Sequence, residues 1–270
     1  MPKLTSRLRG MWVPAVLVIL WELCARAGWV SAIVLPAPTA VLHRWALALA
    51  PAQPIEAGQS HLAWLLSGEM VRDAVASLTR VLMGFVLGAG LALPLGLVMG
   101  ASRSLHDLFD PMLQVLRPIP PIAYIPLAIL WFGLGNPPAV FLIALGAFFP
   151  VLMNTIAGVR SVDRLYVRAA RNLGAGPATI FLRVMLPSAM PFVLAGMRIG
   201  IGTAFIVVIV SEMIAVNDGL GFRILEAREF MWSDKIIAGM LMIGLLGLAL
   251  DFGMSALNRH LLRWHRGPEE

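Results

Sequence analysis

Long apolar runs, separated by short polar segments, make up most of the chain. A run of about 20 apolar residues is long enough for an α-helix to cross the hydrocarbon core of a bilayer. We therefore predict an all-α, polytopic membrane protein that forms a single membrane domain over residues 1–270. Its six predicted spans are Met11 to Trp29, Arg80 to Gly100, Ile119 to Gly133, Ala139 to Val159, Pro191 to Val216 and Ile236 to Leu257.

The third predicted span differs from the others because prolines crowd it. Proline lacks the N–H donor of a helical residue, and a membrane helix tolerates it where neighbouring helices cover the freed carbonyl groups. We expect this span to be bent and packed inside the bundle. The prolines concerned are Pro118, Pro120, Pro121 and Pro126.

The composition supports a membrane protein and argues against a soluble one. The chain is 59% hydrophobic and 13% charged, whereas a soluble domain carries about 25% charged residues. Its net charge of +6 could suggest a nucleic-acid partner in a soluble protein. In a membrane protein, basic residues gather in cytoplasmic loops, so we expect lipid around the chain and no nucleic acid.

The orientation of the spans follows from the distribution of arginine and lysine. If the N-terminus lies in the cytoplasm, the cytoplasmic segments contain thirteen of these residues and the extracytoplasmic segments seven. Cytoplasmic loops of membrane proteins carry the larger share. We therefore predict that both termini lie in the cytoplasm.

The sequence shows no arrangement of residues typical of an enzyme active site. Its five histidines lie in loops or at helix ends, and none forms an H-E-x-x-H pair. Asp107 and Asp110 share one helix face, which is more typical of a solvated surface than of a metal site. The nucleotide-binding loop is also missing, since neither Lys3 nor Lys235 follows a glycine. We expect a non-catalytic chain that binds no metal or cofactor, so any ATP that drives it binds to another polypeptide.

A basic segment rich in turn residues joins the fourth and fifth predicted spans. Asp163 can cap a short helix over residues 164–173. Gly174 can end that helix, because glycine adopts the left-handed conformation without steric cost. Pro177 suits the first turn of a second short helix, which would end at Leu186-Pro187. We predict two short helices on the cytoplasmic face, with a solvated loop as the alternative.

This segment resembles the EAA loop of permease subunits of bacterial ATP-binding-cassette importers. The family pattern is E-A-A, three residues, G, nine residues and I-x-L-P, and the chain has RAARNLGAGPATIFLRVMLP. Arg168 departs from the pattern, because the family has glutamate at that position. The resemblance implies that residues 160–190 form a coupling loop that fits a cleft in the ATPase. The residues that match at the family spacing are Ala169, Ala170, Gly174, Leu186 and Pro187.

Further stretches resemble one branch of this family, the nitrate, sulfonate and taurine permeases. They include LPAPTAVL, LRPIPPIAYIPLAILWFGLGNPPAVFL and SEMIAVNDGLGFRILEAREF. The resemblance implies a type I importer bundle in the bacterial cytoplasmic membrane, with a permease homodimer, two ATPase subunits that bind ATP and Mg, and an extracytoplasmic substrate-binding protein. It also implies a small anion as cargo. A different cargo, such as a pyrimidine vitamin precursor, and a secondary transporter working alone are the alternatives.

Small residues recur at every fourth position of the second predicted span and again in the fifth. Such faces let membrane helices pack closely. We predict packing surfaces here rather than ligand sites. The residues are Gly84, Gly88, Ala92, Gly96 and Gly100, followed by Gly196 and Gly200.

Several polar residues within the predicted spans are functional candidates, because burying a polar or charged group in a membrane is costly. We expect Glu212 to have a gating role near the extracytoplasmic end, paired with Arg223 or Arg228. A hydrated residue at a helix end is the alternative for Glu212. Asp251 lies near a span end and could reach water. Candidates for lining a translocation pathway are Asn154, Thr155 and Thr203.

Overall fold

The computed structural model describes residues 2–51, 54, 60–61, 64 and 66–262, with side chains from residue 12 onward. The two chain ends included in the predicted domain, Met1 and 263–270, lie outside the described residues. The described part of the chain consists of helices joined by turns and loops. Its helices are α1 Pro2–Arg26, α2 Pro38–Leu49, α3 Glu69–Ala101, α4 Arg103–Leu116, α5 Ile125–Phe132, α6 Asn136–Arg160, α7 Arg164–Asn172, α8 Pro177–Ala215, α9 Leu220–Glu229 and α10 Ser233–Leu261.

Four helices of the described chain, α3, α6, α8 and α10, are long and apolar enough to cross a membrane. They contain the second, fourth and sixth predicted spans in full and the fifth except for its last residue, Val216. The first predicted span falls on α1, which ends at Arg26, three residues before the predicted end. The all-helical class is therefore confirmed, whereas the crossing by α1 stays a prediction.

The third predicted span is not one continuous helix. Within its predicted bounds, a 3₁₀ turn at Pro121–Tyr124 precedes α5, which has eight residues and is therefore about 12 Å long. Helix α4 comes before this segment, and the two are bent by 81°. The predicted bend is confirmed, but the predicted helix bounds are wrong, because prolines 118, 120 and 121 cannot donate the hydrogen bonds of a helix. Together, α4 and the segment after it form one broken span or a re-entrant loop.

The described chain divides into two compact units. The larger unit comprises residues 76–217 and 245–262, and the smaller comprises the described residues among 2–75 together with 218–244. In the larger unit, α6 packs between α3 and α8. A Cβ atom at Gly88 would collide with the carbonyl oxygen of Ala144 in α6, and one at Gly196 would lie 2.6 Å from Cβ of Asn154. The predicted small-residue faces are therefore confirmed as packing surfaces.

In the smaller unit, charged side chains hold α9 beside the first turns of α3 and α10. Arg223 of α9 binds Asp73 and Glu69, each at 2.8 Å, and Glu226 at 2.7 Å. Lys235 binds Glu69 at 3.1 Å. Burial alone would lower the pKa of Arg223, but its hydrogen bonds to Asp73 and Glu226 and the charge of Glu69 outweigh that effect and raise the pKa above its ordinary value. The network therefore favours the charged form of Arg223.

Candidate coupling surface and translocation cavity

Helix α7 begins at the predicted residue and ends one residue before the predicted end. The Asp163 carboxylate accepts a hydrogen bond of 2.8 Å from the backbone N–H of Leu165, which caps the first turn. Gly174 has a φ of +81° in the turn that follows the helix. The N–H of Ala175 then bonds to the carbonyl oxygen of Ala170 at 3.0 Å, a pattern that satisfies the last carbonyl groups of a helix. These local contacts fix the direction in which the chain leaves α7.

The second predicted short helix is not separate, because Pro177 begins α8 and this helix continues to Ala215. A π-helical turn at Phe181–Met185 lies at the predicted end, and the N–H of Leu186 bonds to the carbonyl oxygen of Phe181. A proline inside an α-helix lacks one donor and clashes with the carbonyl group four residues earlier. The wider turn accommodates Pro187 without ending the helix. Leu186 and Pro187 are accordingly half-buried parts of α8.

We call residues 164–174, which include all of α7, the coupling surface. Arg168, Ala169 and Gly174 are exposed on it, and Ala170 is half-buried. The sequence interpretation missed large apolar side chains on the same segment. Leu173 is 88% exposed, and Leu165 and Tyr166 are also exposed. A group of exposed apolar side chains on one segment can mark a surface that contacts another protein or a membrane.

Two of the predicted pathway residues, Asn154 and Thr203, line one cavity in the larger unit. The cavity has a volume of about 320 Å³. Asn154 also bonds through its amide nitrogen to the carbonyl oxygen of Pro150 at 2.8 Å. Thr155 does not line the cavity, because it is fully buried and its hydroxyl donates to the carbonyl oxygen of Val151.

Arg117 is the charged residue among the described residues that line this cavity. From the sequence, Arg117 counts only among the basic residues predicted to be cytoplasmic, so its place in this cavity was missed. A guanidinium group presents several N–H donors in a planar fork that suits oxyanions. The cavity can therefore accept a small anion, with polar contacts from Asn154 and Thr203.

Glu212 forms a buried ion pair within the larger unit. Its side chain is 0% exposed, and Oε1 lies 2.7 Å from Nη1 of Arg80, which is 5% exposed. The hydroxyl of Ser77 donates to Oε2 of Glu212 at 2.8 Å. Arg80 also donates from Nε to Oδ1 of Asn136 at 2.6 Å. The interpretation of Glu212 as a hydrated residue at a helix end is therefore wrong.

The predicted partner of Glu212 is also wrong. The structure pairs Glu212 with Arg80, while Arg223 takes part in the network with Asp73, Glu69 and Glu226. Arg80 appears in the sequence at the predicted boundary of a span, and nothing near it in the sequence indicates its partner. The two residues of the pair are 132 positions apart.

A second ion pair joins α8 to α10 within the larger unit. Nε and Nη2 of Arg198 each lie 2.8 Å from a different carboxylate oxygen of Asp251. The side chains of both residues are 49% exposed. Asp251 is thus paired as well as accessible. Arg198 was missed by the sequence interpretation, although an arginine within an apolar run is itself a signal of function.

Comparison with known proteins identifies the family of the chain. Residues 92–266 match the family described as binding-protein-dependent transport system inner membrane component. The taurine transport system permease protein of Escherichia coli is 36% identical over 252 residues, which cover 93% of this chain and 87% of that protein. The bicarbonate transport system permease protein of Synechococcus elongatus is 36% identical over 192 residues, 71% of this chain and 69% of that protein.

The fold resembles a solved structure of the MetNI methionine ABC transporter in an inward-facing conformation. The TM-score is 0.64 at 18% sequence identity, and the match covers 75% of this chain and 99% of that chain. The likeness concerns the fold alone. Taken with the family match and the two relatives, it leads to one conclusion: the chain belongs to the binding-protein-dependent inner membrane components, as a non-catalytic, multi-pass permease subunit of an ABC transporter.

Proposed function

We propose that the chain is the permease of an ATP-driven importer that moves a small anion of the sulfonate, taurine, nitrate or bicarbonate class across the bacterial cytoplasmic membrane. The whole chain acts as one permease domain of a homodimer, with six spans and both termini in the cytoplasm. Helices α1, α3, α6, α8 and α10 each supply one span, and the bent pair of α4 and α5 supplies the third.

The observation that carries this proposal is the cavity lined by Arg117, Asn154 and Thr203. Its volume of about 320 Å³ lies at the lower end of the range found for small-molecule sites. A guanidinium group with neutral polar neighbours favours an oxyanion over an uncharged or cationic ligand. Taurine and bicarbonate, the cargoes named for the two relatives, both carry an anionic oxygen group, which supports the same chemical class.

Transport of radiolabelled taurine, nitrate and bicarbonate into proteoliposomes tests the cargo. We expect Arg117→Gln to lower anion uptake by about tenfold or more, since loss of one charge-assisted contact costs about 1.5–3 kcal/mol. Arg117→Lys keeps the charge and should retain more uptake than Arg117→Gln. Uptake of an uncharged pyrimidine instead of any anion, or full anion uptake by Arg117→Gln, would contradict the proposal.

The coupling surface docks a cytoplasmic ATPase subunit, which binds the ATP and Mg that drive transport. The support for this role is the exposure of Leu173, Ala169 and Gly174 on a capped, well-defined helix and turn. Arg168 lies on the same surface, where the related pattern has glutamate. An extracytoplasmic binding protein delivers the cargo on the opposite side. The dependence on a binding protein that the family description names supports such a partner.

Co-purification of the ATPase subunits tests this docking. Leu173→Asp places a charge on the coupling surface, and we expect loss of the ATPase together with ATP-driven uptake. Phe230→Asp is the matched control, because Phe230 is also large, apolar and 60% exposed but lies in a segment predicted to be extracytoplasmic. Retention of the ATPase by Leu173→Asp would show that the coupling surface is a solvated segment.

A further inference from the structure

A large cavity lies in the larger unit where the ends of α3, α6 and α7 meet the start of α8. Its volume is about 950 Å³. It is separate from the cavity that Arg117 lines, and the two share no lining residue. Its basic lining residues are Arg103, Arg160, Arg164 and Arg171.

The four arginines have no carboxylate partner among the described residues. The nearby carboxylate of Asp163 accepts the capping hydrogen bond from the N–H of Leu165. No aspartate or glutamate is among the described residues that line the cavity. The cavity therefore concentrates positive charge without an internal counter-charge. Such an arrangement attracts an anionic ligand.

The rest of the cavity wall is apolar. Val159 and Val162 contribute from the end of α6 and the turn after it, and Ile180, Phe181 and Met185 contribute from the start of α8. A ligand that fills both parts has an anionic group and an apolar portion. The cavity volume also far exceeds the share of about 30 Å³ that one water molecule occupies, so a small inorganic ion would leave most of it unfilled.

We propose that this cavity binds the headgroup phosphate of an anionic phospholipid from the cytoplasmic leaflet, with the glycerol and upper acyl carbons against the apolar wall. The inference rests on the membrane orientation proposed above, which places the ends of α3 and α6 at the cytoplasmic surface. Basic pockets between membrane helices on that side bind anionic headgroups. Arg164 and Arg171 belong to the coupling surface, so the bound lipid holds α7 against the ends of the spans.

Native mass spectrometry of the intact complex with its ATPase subunits tests the site. The complex is released from nanodiscs that contain phosphatidylcholine and a fraction of phosphatidylglycerol. We expect wild type to retain phosphatidylglycerol with a preference of about tenfold over phosphatidylcholine. Arg160→Gln combined with Arg164→Gln should abolish that preference. The control combines Arg183→Gln with Arg259→Gln. It removes the same charge from the same predicted face outside the cavity and should retain the lipid.

Three results would overturn the proposal. The first is equal phosphatidylglycerol retention by wild type and the Arg160/Arg164 variant. The second is loss of ATPase subunits by that variant in pure phosphatidylcholine nanodiscs in which wild type retains them, which would make the cavity a contact for an acidic surface of the partner rather than for a lipid. The third is thermal stabilisation by inorganic phosphate in pure phosphatidylcholine nanodiscs that equals the effect of phosphatidylglycerol, which would indicate a free anion site.

Two controls separate loss of lipid binding from loss of folding. The Arg160→Gln and Arg164→Gln double variant should elute as a monodisperse peak, and the double variant with lysine at both positions should retain the lipid. Anion uptake measured on the same preparations is a separate readout. If wild type shows no lipid preference but takes up the anion normally, this inference is overturned and the transport proposal stands. If wild type shows a clear lipid preference but takes up no anion, the transport proposal is overturned and the lipid site stands.

Discussion

Replacing Glu212 by glutamine removes one charge from the buried pair with Arg80 and changes the side-chain volume little. The sequence alone predicts altered transport with normal assembly, since it shows only a carboxylate within a span. The structure changes that expectation, because Glu212 is 0% exposed and Arg80 is 5% exposed. The substitution leaves the guanidinium of Arg80 buried without this carboxylate, so the free energy of unfolding should fall.

The expected size of the effect follows from the geometry. Opposite charges at the observed N–O distance of 2.7 Å attract by about 6 kcal/mol at an effective dielectric constant of about 20. Removal of one partner from a buried ion pair costs about 3–5 kcal/mol in measured cases. Arg80 and Ser77 donate to different oxygens of Glu212. Glutamine keeps one acceptor oxygen, which can face Arg80, while its amide nitrogen can donate to the hydroxyl oxygen of Ser77. We therefore expect a loss of about 3 kcal/mol, the lower end of that range.

The loss in the free energy of unfolding is measured by denaturing the purified permease in mixed detergent micelles and monitoring its helix content by circular dichroism. The informative comparison is Glu212→Met combined with Arg80→Met, which removes both charges and keeps similar volume. Replacing a whole buried pair by apolar residues is often neutral or stabilising, so the double variant should unfold at higher denaturant than Glu212→Gln. If the double variant is no more stable than the single one, loss of the charge pair between Glu212 and Arg80 is not the source of the lower stability.

Two further predictions concern packing and orientation. Gly88→Val should prevent folding or lower stability strongly, because its Cβ would collide with the Ala144 carbonyl oxygen. Gly90→Val on the same helix has open space around its Cβ and should be tolerated. Expression and thermal unfolding of both variants provide the comparison. In a Cys24→Ala background, Ala178→Cys should resist an impermeant thiol reagent in intact cells and Glu229→Cys should react. Labelling of residue 178 from outside would reverse the proposed orientation and remove the coupling surface from the cytoplasm.

The elements that the sequence predicts well depend on local chemistry. Apolar length alone locates α3, α6, α8 and α10, because crossing a bilayer requires about 20 apolar residues wherever the helix lies. Asp163 and Gly174 predict the ends of α7 because capping and a positive φ involve residues only a few positions apart. The small-residue face of α3 is visible for the same reason, since its period is that of the helix.

The prolines illustrate how far local signals extend. Prolines 118, 120 and 121 indicate a bend, but their sequence does not give the 81° angle or the short length of α5. Pro187 suggests the end of a helix, whereas the chain continues through a π-helical turn into α8. A missing N–H donor is a property of the residue. How the backbone compensates for it depends on the elements that pack around it.

The sequence by itself determines that this chain is a helical membrane permease with a capped short helix between its fourth and fifth predicted spans, because the evidence lies in runs and motifs of adjacent residues. Only the tertiary structure decides that Arg80 is the partner of Glu212, 132 residues away, and that Arg198 pairs with Asp251 across 53 residues. It also decides that Arg117 shares a cavity with Asn154 and Thr203. Helical periodicity indicates which face of a helix is apolar, but which helix packs on that face, and at what depth, depends on how all the helices fit together.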